Sequence, residues 1–227
     1  MFRTLALPFT LTCLVASLAP LPLLAQSRPS APGSGGVFVS REGGRASIVV
    51  TGRISPETET AFAAAVRSNP NARVVLNSAG GSLNPALAMG RLIHERRLQT
   101  VVPDGRGCFS ACGLIWIAGA ERHIGTGARI GFHAAYVPQQ GGPGQVSSSG
   151  NAVIGAYLSR LGFNDNAIRF LTAARPEQIS VVKPQQFAEM GVTVRNVATR
   201  MPDIPDTPAA AQPGGTGKFM PPDKRPR

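Results

Sequence analysis

Four short stretches of this chain hold residue types suited to acyl chemistry, and they follow one another in a definite order. In Gly107-Cys108-Phe109-Ser110-Ala111-Cys112-Gly113 a single serine stands between two cysteines, just ahead of the apolar run Leu114-Ile115-Trp116-Ile117-Ala118-Gly119. That run predicts a buried helix with Ser110 at its N-terminal end. Unpaired backbone N–H groups and the helix dipole favour developing negative charge there. Such a position suits a serine nucleophile, and it equally suits an ordinary helix cap, a common use of serine. Upstream, Leu76-Asn77-Ser78-Ala79-Gly80-Gly81-Ser82 closes a short strand, and its paired glycines let backbone N–H groups face a ligand closely. Downstream, Gly131-Phe132-His133 sets an imidazole at a strand end, where histidine also serves as a hydrogen-bonded core residue. Last comes Pro176-Glu177-Gln178-Ile179, ahead of a short helix ending in Glu189-Met190-Gly191-Val192.

A serine hydroxyl is a weak nucleophile until an adjacent imidazole accepts its proton. Attack on a carbonyl then builds an oxyanion that needs fixed donors. The backbone N–H of Ala111 and one from Gly80 or Gly81 are the expected donors. His94, among the charges of a helix, and His123, after Glu121-Arg122, read as surface or structural groups.

The elements that must position these residues alternate between strand and helix. Residues 37–39 and 46–51 predict two strands joined by the Glu42-Gly43-Gly44 turn. Ser55-Pro56-Glu57-Thr58 opens a helix with a serine cap, proline in the first turn and an acidic start; it stops near Asn69-Pro70. Residues 73–77 form a β-branched strand of the kind buried in a parallel sheet. Residues 78–82 follow as a loop, then a helix over 85–97, a strand over 100–102 and the Ser110 helix. Short strands at 122–124 and 129–132 flank Gly125-Thr126-Gly127, and 138–150 reads as a flexible loop without periodicity. Helices are expected over 151–161, 164–173 and 184–190, and residues 192–194 follow the glycine that ends the last of them. The alternation predicts an α/β domain with a largely parallel sheet.

Composition sets the address and excludes several classes. With 227 residues and 43% hydrophobic content, the chain predicts one domain, over 37–197, and no internal repeat is visible. Residues 1–25 read as a cleaved secretory signal: Arg3 is the positive start, Leu5 to Leu24 are largely apolar, and Leu24-Ala25 precedes Gln26 as a small-residue cleavage site. Pro8, Pro20 and Pro22 break that run against a spanning helix, and Cys13 lacks a lipoprotein context. Residues 26–36 predict a disordered Pro/Gly/Ser linker, and 198–227 a disordered Pro/Gly/Lys-rich tail. A periplasmic or secreted location is expected. The net charge of +11 comes from scattered arginines, with no lysine before Lys183 and Lys218, Lys224, Arg225 and Arg227 in the tail. No basic helix or RNA-binding aromatic motif accompanies that charge, so no nucleic-acid partner is expected. Export would leave Cys108 and Cys112 where disulfides form. A spacing of four puts them on one helix face about 6 Å apart at the α-carbons, within disulfide reach. No nearby histidine completes a metal site.

Taken in order, these motifs resemble the Clp-protease/crotonase superfamily, and more closely its exported bacterial members with a Clp-like serine-protease domain. The resemblance covers about residues 45–195. It implies a ββα-repeat spiral fold. It implies that the N-S-x-G-G-S loop, here Asn77 to Ser82, supplies the oxyanion hole, that Ser110 before Ala111 is the nucleophile, and that His133 is the base. The family places an orienting Asp before the last short helix. Here that neighbourhood reads Arg175-Pro176-Glu177-Gln178-Ile179-Ser180, without an Asp. Glu177 is the candidate for that role, or else an exposed carboxylate, and Asp165 reads as a helix cap. The implied activity is an ATP-independent serine hydrolase, a peptidase on peptide or protein substrates. It needs no cofactor and, in an envelope without ATP, no ATP-driven unfoldase; homo-oligomers are common in the superfamily. A Ser–Lys dyad lacks its core lysine, and a crotonase-type enzyme would need coenzyme A outside the cell. A catalytically inactive binding module of the same fold is the rival, favoured by the missing Asp.

Overall fold

A computed structural model describes residues 36–142 and 144–202. The expected signal segment, the linker up to residue 35 and the tail beyond residue 202 lie outside the described residues. The first strands form a hairpin, β1 (Gly36–Glu42) against β2 (Arg45–Ile54), and α1 (Pro56–Ser68) follows. Helix α1 starts where its cap chemistry dictates. The Ser55 side chain accepts from Thr58 N–H, the Thr58 side chain accepts from Ser55 N–H, and Pro56 sits in the first turn, where its missing N–H costs nothing.

Strand β3 (Arg73–Gly81) leads to α2 (Leu83–Glu95), β4 (Thr100–Val102), β5 (Gly107–Phe109) and α3 (Ala111–Ile117). Then come β6 (Arg122–Ile124), β7 (Arg129–Phe132), a small hairpin of β8 (Tyr136–Val137) and β9 (Gln145–Val146), and helices α4 (Ser148–Arg160) and α5 (Asp165–Ala173). Strand β10 (Ser180–Val181), α6 (Pro184–Glu189) and β11 (Arg195–Asn196) complete the described chain.

Strand β3 is the hinge of a nine-stranded, mostly parallel sheet. Along one edge it pairs with β2 from Arg73 to Gly81, through an irregularity between Thr51 and Arg53. Along the other edge it serves two neighbours in turn. Val74 and Val75 pair with β4, and Ser78 pairs with Cys108 of β5. The order runs on from β4 to β6 and β11, and from β5 to β7 and β10, so the sheet curls around β3. Only the β1–β2 and β7–β10 contacts in this sheet are antiparallel.

Alternation along the strands builds two apolar faces. Ile48, Val50, Val74 and Leu76 turn to the main core, with Phe62 and Val66 of α1, Met89 and Ile93 of α2, and Ile115 and Trp116 of α3. Each large side chain buried there contributes about 1.5–3 kcal/mol. Val49, Val75 and Val101, in register across β2, β3 and β4, form a smaller patch on the other face, where Phe38 and Met201 pack. Helix α3 is buried along its whole length. Trp116 Nε1 donates to His123 O (3.2 Å) and its ring meets Phe187 of α6 at 5.3 Å, while Tyr157 OH of α4 donates to Leu114 O at 2.8 Å.

Several segments differ from the sequence expectation. Residues 78–81 are strand, not loop, because their backbone continues the ladder to β2. The segment expected as a featureless loop over 138–150 contains β9, which pairs with β8 as a hairpin. Helix α2 begins two residues early, and a last short strand at Arg195–Asn196 lies where no strand was expected.

Candidate active site

Ser110 occupies the junction between β5 and α3. Its φ of 56° and ψ of −126° make it one of two described non-glycine residues with positive φ. For a residue with a Cβ such a conformation costs about 1–3 kcal/mol and persists only where the surroundings impose it. Those surroundings are specific. Ser110 N–H donates to Gly131 O of β7 at 2.8 Å, and Ser110 O accepts from Gly113 N–H at 2.9 Å. A disulfide joins Cys108, the central residue of β5, to Cys112, the second residue of α3, with the α-carbons 5.1 Å apart. The bond therefore spans the turn from strand to helix instead of lying along one helix face. Closing a loop this short adds about 2 kcal/mol on the chain-entropy account, the same order as the strain at Ser110. An ordinary N-cap has extended φ/ψ and bonds the first turn through its side chain. Ser110 does neither, and its Oγ carries no hydrogen bond among the described residues.

The Gly80-Gly81 strand end packs directly against this junction. A Cβ on Gly80 (φ 105°) would stand 2.8 Å from Phe109 O, 2.8 Å from Ser110 Cβ and 3.1 Å from Ala111 N; one on Gly81 would collide with the backbone of Ile54. Only glycine allows this approach. Ser78, buried, donates through Oγ to Gly52 O and accepts from Gly80 N–H at 3.0 Å. The Gly80 N–H is thereby occupied. Ser82 N–H donates to Ile54 O at 2.9 Å, and successive N–H groups of a strand point to opposite edges. The Gly81 N–H thus does not share the Ser82 bond to β2. The Ala111 N–H, first in α3, has no partner within its own helix. These two amides are the candidates to meet an anion beside Ser110.

His133 directly follows β7. The β5–β7 ladder pairs Phe109 with Gly131, so Ser110 and His133 stand just past the carboxyl ends of neighbouring parallel strands. The ring is half-buried, 5.4 Å from the exposed Tyr136 ring. His133 Nδ1 lies 2.7 Å from Ala134 O. A carbonyl only accepts, so Nδ1 carries a hydrogen, and in the neutral ring the lone pair is on Nε2. No hydrogen bond joins Ser110 Oγ to His133. Ala134 N–H in turn donates to Ala174 O at 2.8 Å, tying the segment to the end of α5.

Glu177 is the sequence candidate that the structure does not bring to the others. It lies exposed in the turn before β10, with no hydrogen bond or ion pair to His133. His123 pairs with Glu121 at 3.2 Å, and His94 is in the last turn of α2. Lys183 is exposed ahead of α6. Asp165 opens α5 and pairs with Arg169 at 3.8 Å, while the cap itself is Asn164, whose side chain accepts from Ala167 N–H at 3.0 Å. Among the described residues no group of three or more His, Cys, Asp or Glu could hold a metal ion. Sequence reasoning missed the two polar groups that set the local geometry. Ser78 acts through its hydroxyl within a motif already noticed, and the Ala134 carbonyl is backbone and leaves no side-chain signature.

The curled, mostly parallel sheet with its flanking helices has counterparts among solved structures. The 1510-N membrane-bound stomatin-specific protease, as a serine-to-alanine variant, superposes with a TM-score of 0.53 at 16% identity, over 66% of this chain and 77% of that one. The lysine-to-alanine variant of the same protease, in complex with a substrate peptide, gives 0.53 at 17% identity, over 66% and 73%. ClpP1 from Listeria monocytogenes gives 0.51 at 15% identity, over 68% and 92%. The chain adopts the Clp-protease fold. At these identities the likeness is one of fold, and the residues of this Clp-protease fold must carry their own argument. No family model and no curated protein matches the sequence.

Proposed function

We propose that this chain is an exported, ATP-independent serine hydrolase, a peptidase, with Ser110 as nucleophile and His133 as general base. The observation that carries the reading is the conformation of Ser110: a strained residue at a buried junction, its Oγ unengaged, beside two backbone N–H groups that share its surroundings. The fold neighbours, themselves proteases, support a peptidase over other acyl chemistry. Export rests on the composition of residues 1–25.

The chemistry follows from the geometry. His133 holds its hydrogen on Nδ1 through Ala134 O, so Nε2 takes the Ser110 proton as Oγ attacks the substrate carbonyl. The oxyanion that forms is met by the N–H groups of Ala111 and Gly81. His133 then returns the proton to the departing amine, and water repeats the cycle on the acyl-enzyme. The Ser110–His133 hydrogen bond absent from the free protein forms as substrate orders the site, as such bonds often tighten in the complex. A peptide or protein is the substrate, without cofactor or ATP-driven unfoldase.

Labelling of the purified protein with a fluorophosphonate probe, beside Ser110→Ala and His133→Ala, tests the reading. Labelling of the wild type that disappears in both variants is expected. A folded protein that does not label overturns it in favour of a binding module of the same fold, a reading that the exposed Glu177 and the absent Ser110–His133 bond favour.

A further inference from the structure

We infer that the Cys108–Cys112 disulfide is a positioning element for the nucleophile, holding Ser110 in its catalytic conformation, and that the site is inactive when the bond is reduced. The inference rests on the hydrolase reading for its consequence, and on the strand–turn–helix geometry for its substance. The two sulfurs bracket Ser110 symmetrically, two residues on either side. Cys108 is fixed laterally, since β5 is paired with β3 at Ser78 and with β7 at Ile130. Cys112 is buried in α3, and both cysteines are 0% exposed. A covalent link between a strand held on both edges and the first turn of a buried helix fixes where the chain must reverse. Ser110 is the residue left to make that reversal, with φ at 56°.

Two backbone hydrogen bonds made by Ser110 itself hold the turn: Ser110 N–H to Gly131 O and Gly113 N–H to Ser110 O. Without the bond, Ser110 is free to relax toward the extended φ/ψ of an ordinary helix cap. That relaxation would rotate Oγ and the Ala111 N–H away from each other while leaving most of the core in place: Cys108, Ala111 and Cys112 belong to the same apolar cluster, but the large side chains of α3, Leu114, Ile115, Trp116 and Ile117, lie beyond the staple. The bond therefore acts on the geometry of the reacting groups more than on the fold.

The test compares three forms of the full chain: oxidised wild type, wild type reduced by a dithiol, and Cys108→Ala/Cys112→Ala. The dithiol's two thiols give up two hydrogens to the cystine, leaving two cysteine thiols and a cyclic disulfide. Brief exposure to mild denaturant during reduction opens the buried bond. Reduced wild type keeps both side chains, which separates the bond from its packing. The expected result is a limiting fluorophosphonate labelling rate at Ser110 that falls roughly 100-fold in the reduced and double-alanine forms, as misplacement of a reacting group does. Cooperative thermal unfolding should be retained, and reoxidation should restore the rate in wild type only. Equal rates in oxidised and reduced protein would overturn the inference. If the oxidised protein does not label at all, the hydrolase reading fails by itself, and amide hydrogen exchange decides the positioning claim. Faster exchange at Ser110 and Gly113 on reduction supports it, and unchanged exchange removes it.

Discussion

The two halves of the candidate site are built to different standards. On the Ser110 side, β5 is paired on both edges, a disulfide crosses the turn, Gly80 packs against Ser110, and α3 is buried throughout. On the His133 side, the residue lies past the end of its strand and bonds the carbonyl of the next residue; the exposed Tyr136 and Val137 follow, and the candidate carboxylate, Glu177, is exposed. The difference has a physical reason. A non-glycine residue at positive φ relaxes unless its surroundings forbid it, so Ser110 must be held from several sides. A neutral imidazole needs only its tautomer fixed and a path to Oγ, and one short hydrogen bond to a carbonyl supplies the first.

The largest effects are expected where that contrast is broken outright. Ser110→Ala and His133→Ala should each lower peptide hydrolysis by roughly 1,000-fold or more, and the double variant should be little worse than either single one, since groups that act as a unit are not additive. Steady-state rates of the three variants check this. Additive losses would mean that the two residues do not serve one reaction.

Next comes the close approach of the two strand ends. Gly80→Ala places a methyl against Phe109 O and Ser110 Cβ, both backbone-anchored, at 2.8 Å. The junction must shift, and the expected loss in labelling rate is about 100-fold, comparable to loss of an oxyanion donor. The variant should also lose about 1–3 kcal/mol of stability, read from denaturant midpoints, because alanine adopts φ 105° only under strain. A variant that labels at the wild-type rate would mean that the double-glycine strand end is not part of the site.

Tyr157 tests the scaffold without touching the reacting groups. Its hydroxyl holds Leu114 O, and burial pushes its ionisation well above the ordinary 10.0. Tyr157→Phe should cost about 1–3 kcal/mol, since it leaves a buried carbonyl lone pair unmatched, while labelling stays near wild type. The unfolded chain releases this proton near pH 10 and the folded chain keeps it, so the unfolded state binds fewer protons in that range. Stability should be unaffected by this group below pH 10 and fall as pH rises beyond it, with a shallower fall in Tyr157→Phe. Urea titrations at pH 8 to 11 measure both slopes.

How much of this could be read from the chain varies with the kind of signal. The start of α1 was legible because Ser55 and Pro56 each have one physical use at a helix N-terminus. The β-branched run at 73–77 announced its strand, but the continuation through Ser78, Ala79, Gly80 and Gly81 did not, since glycine has no strand preference and only the partner β2 makes those residues extended. Cysteine spacing pointed to a disulfide and misplaced it. A separation of four suits a helix face, yet the helix begins only at Ala111, so the bond runs from strand to helix. Ser110, the double glycine and His133 stood out as side-chain types in order. The Ala134 carbonyl did not, because every residue carries one.

The smallest expected effect is the most discriminating about the base side. Where a buried carboxylate orients the catalytic histidine, neutralising it lowers turnover by about 10,000-fold, chiefly by stabilising the wrong tautomer. Here His133 Nδ1 already donates to Ala134 O at 2.7 Å, while Glu177 is exposed and makes no contact with the ring. Glu177→Gln keeps the size of the side chain and removes only its charge. If the carbonyl fixes the tautomer, the variant should match wild type in labelling rate across pH 6 to 9 and in stability to within about 0.5 kcal/mol, as for most exposed positions. A loss of several orders of magnitude with the fold intact would mean that the 176–179 turn swings inward when substrate binds. Glu177 would then be the third member of the site, and the looseness of the base side would itself be the step that substrate completes.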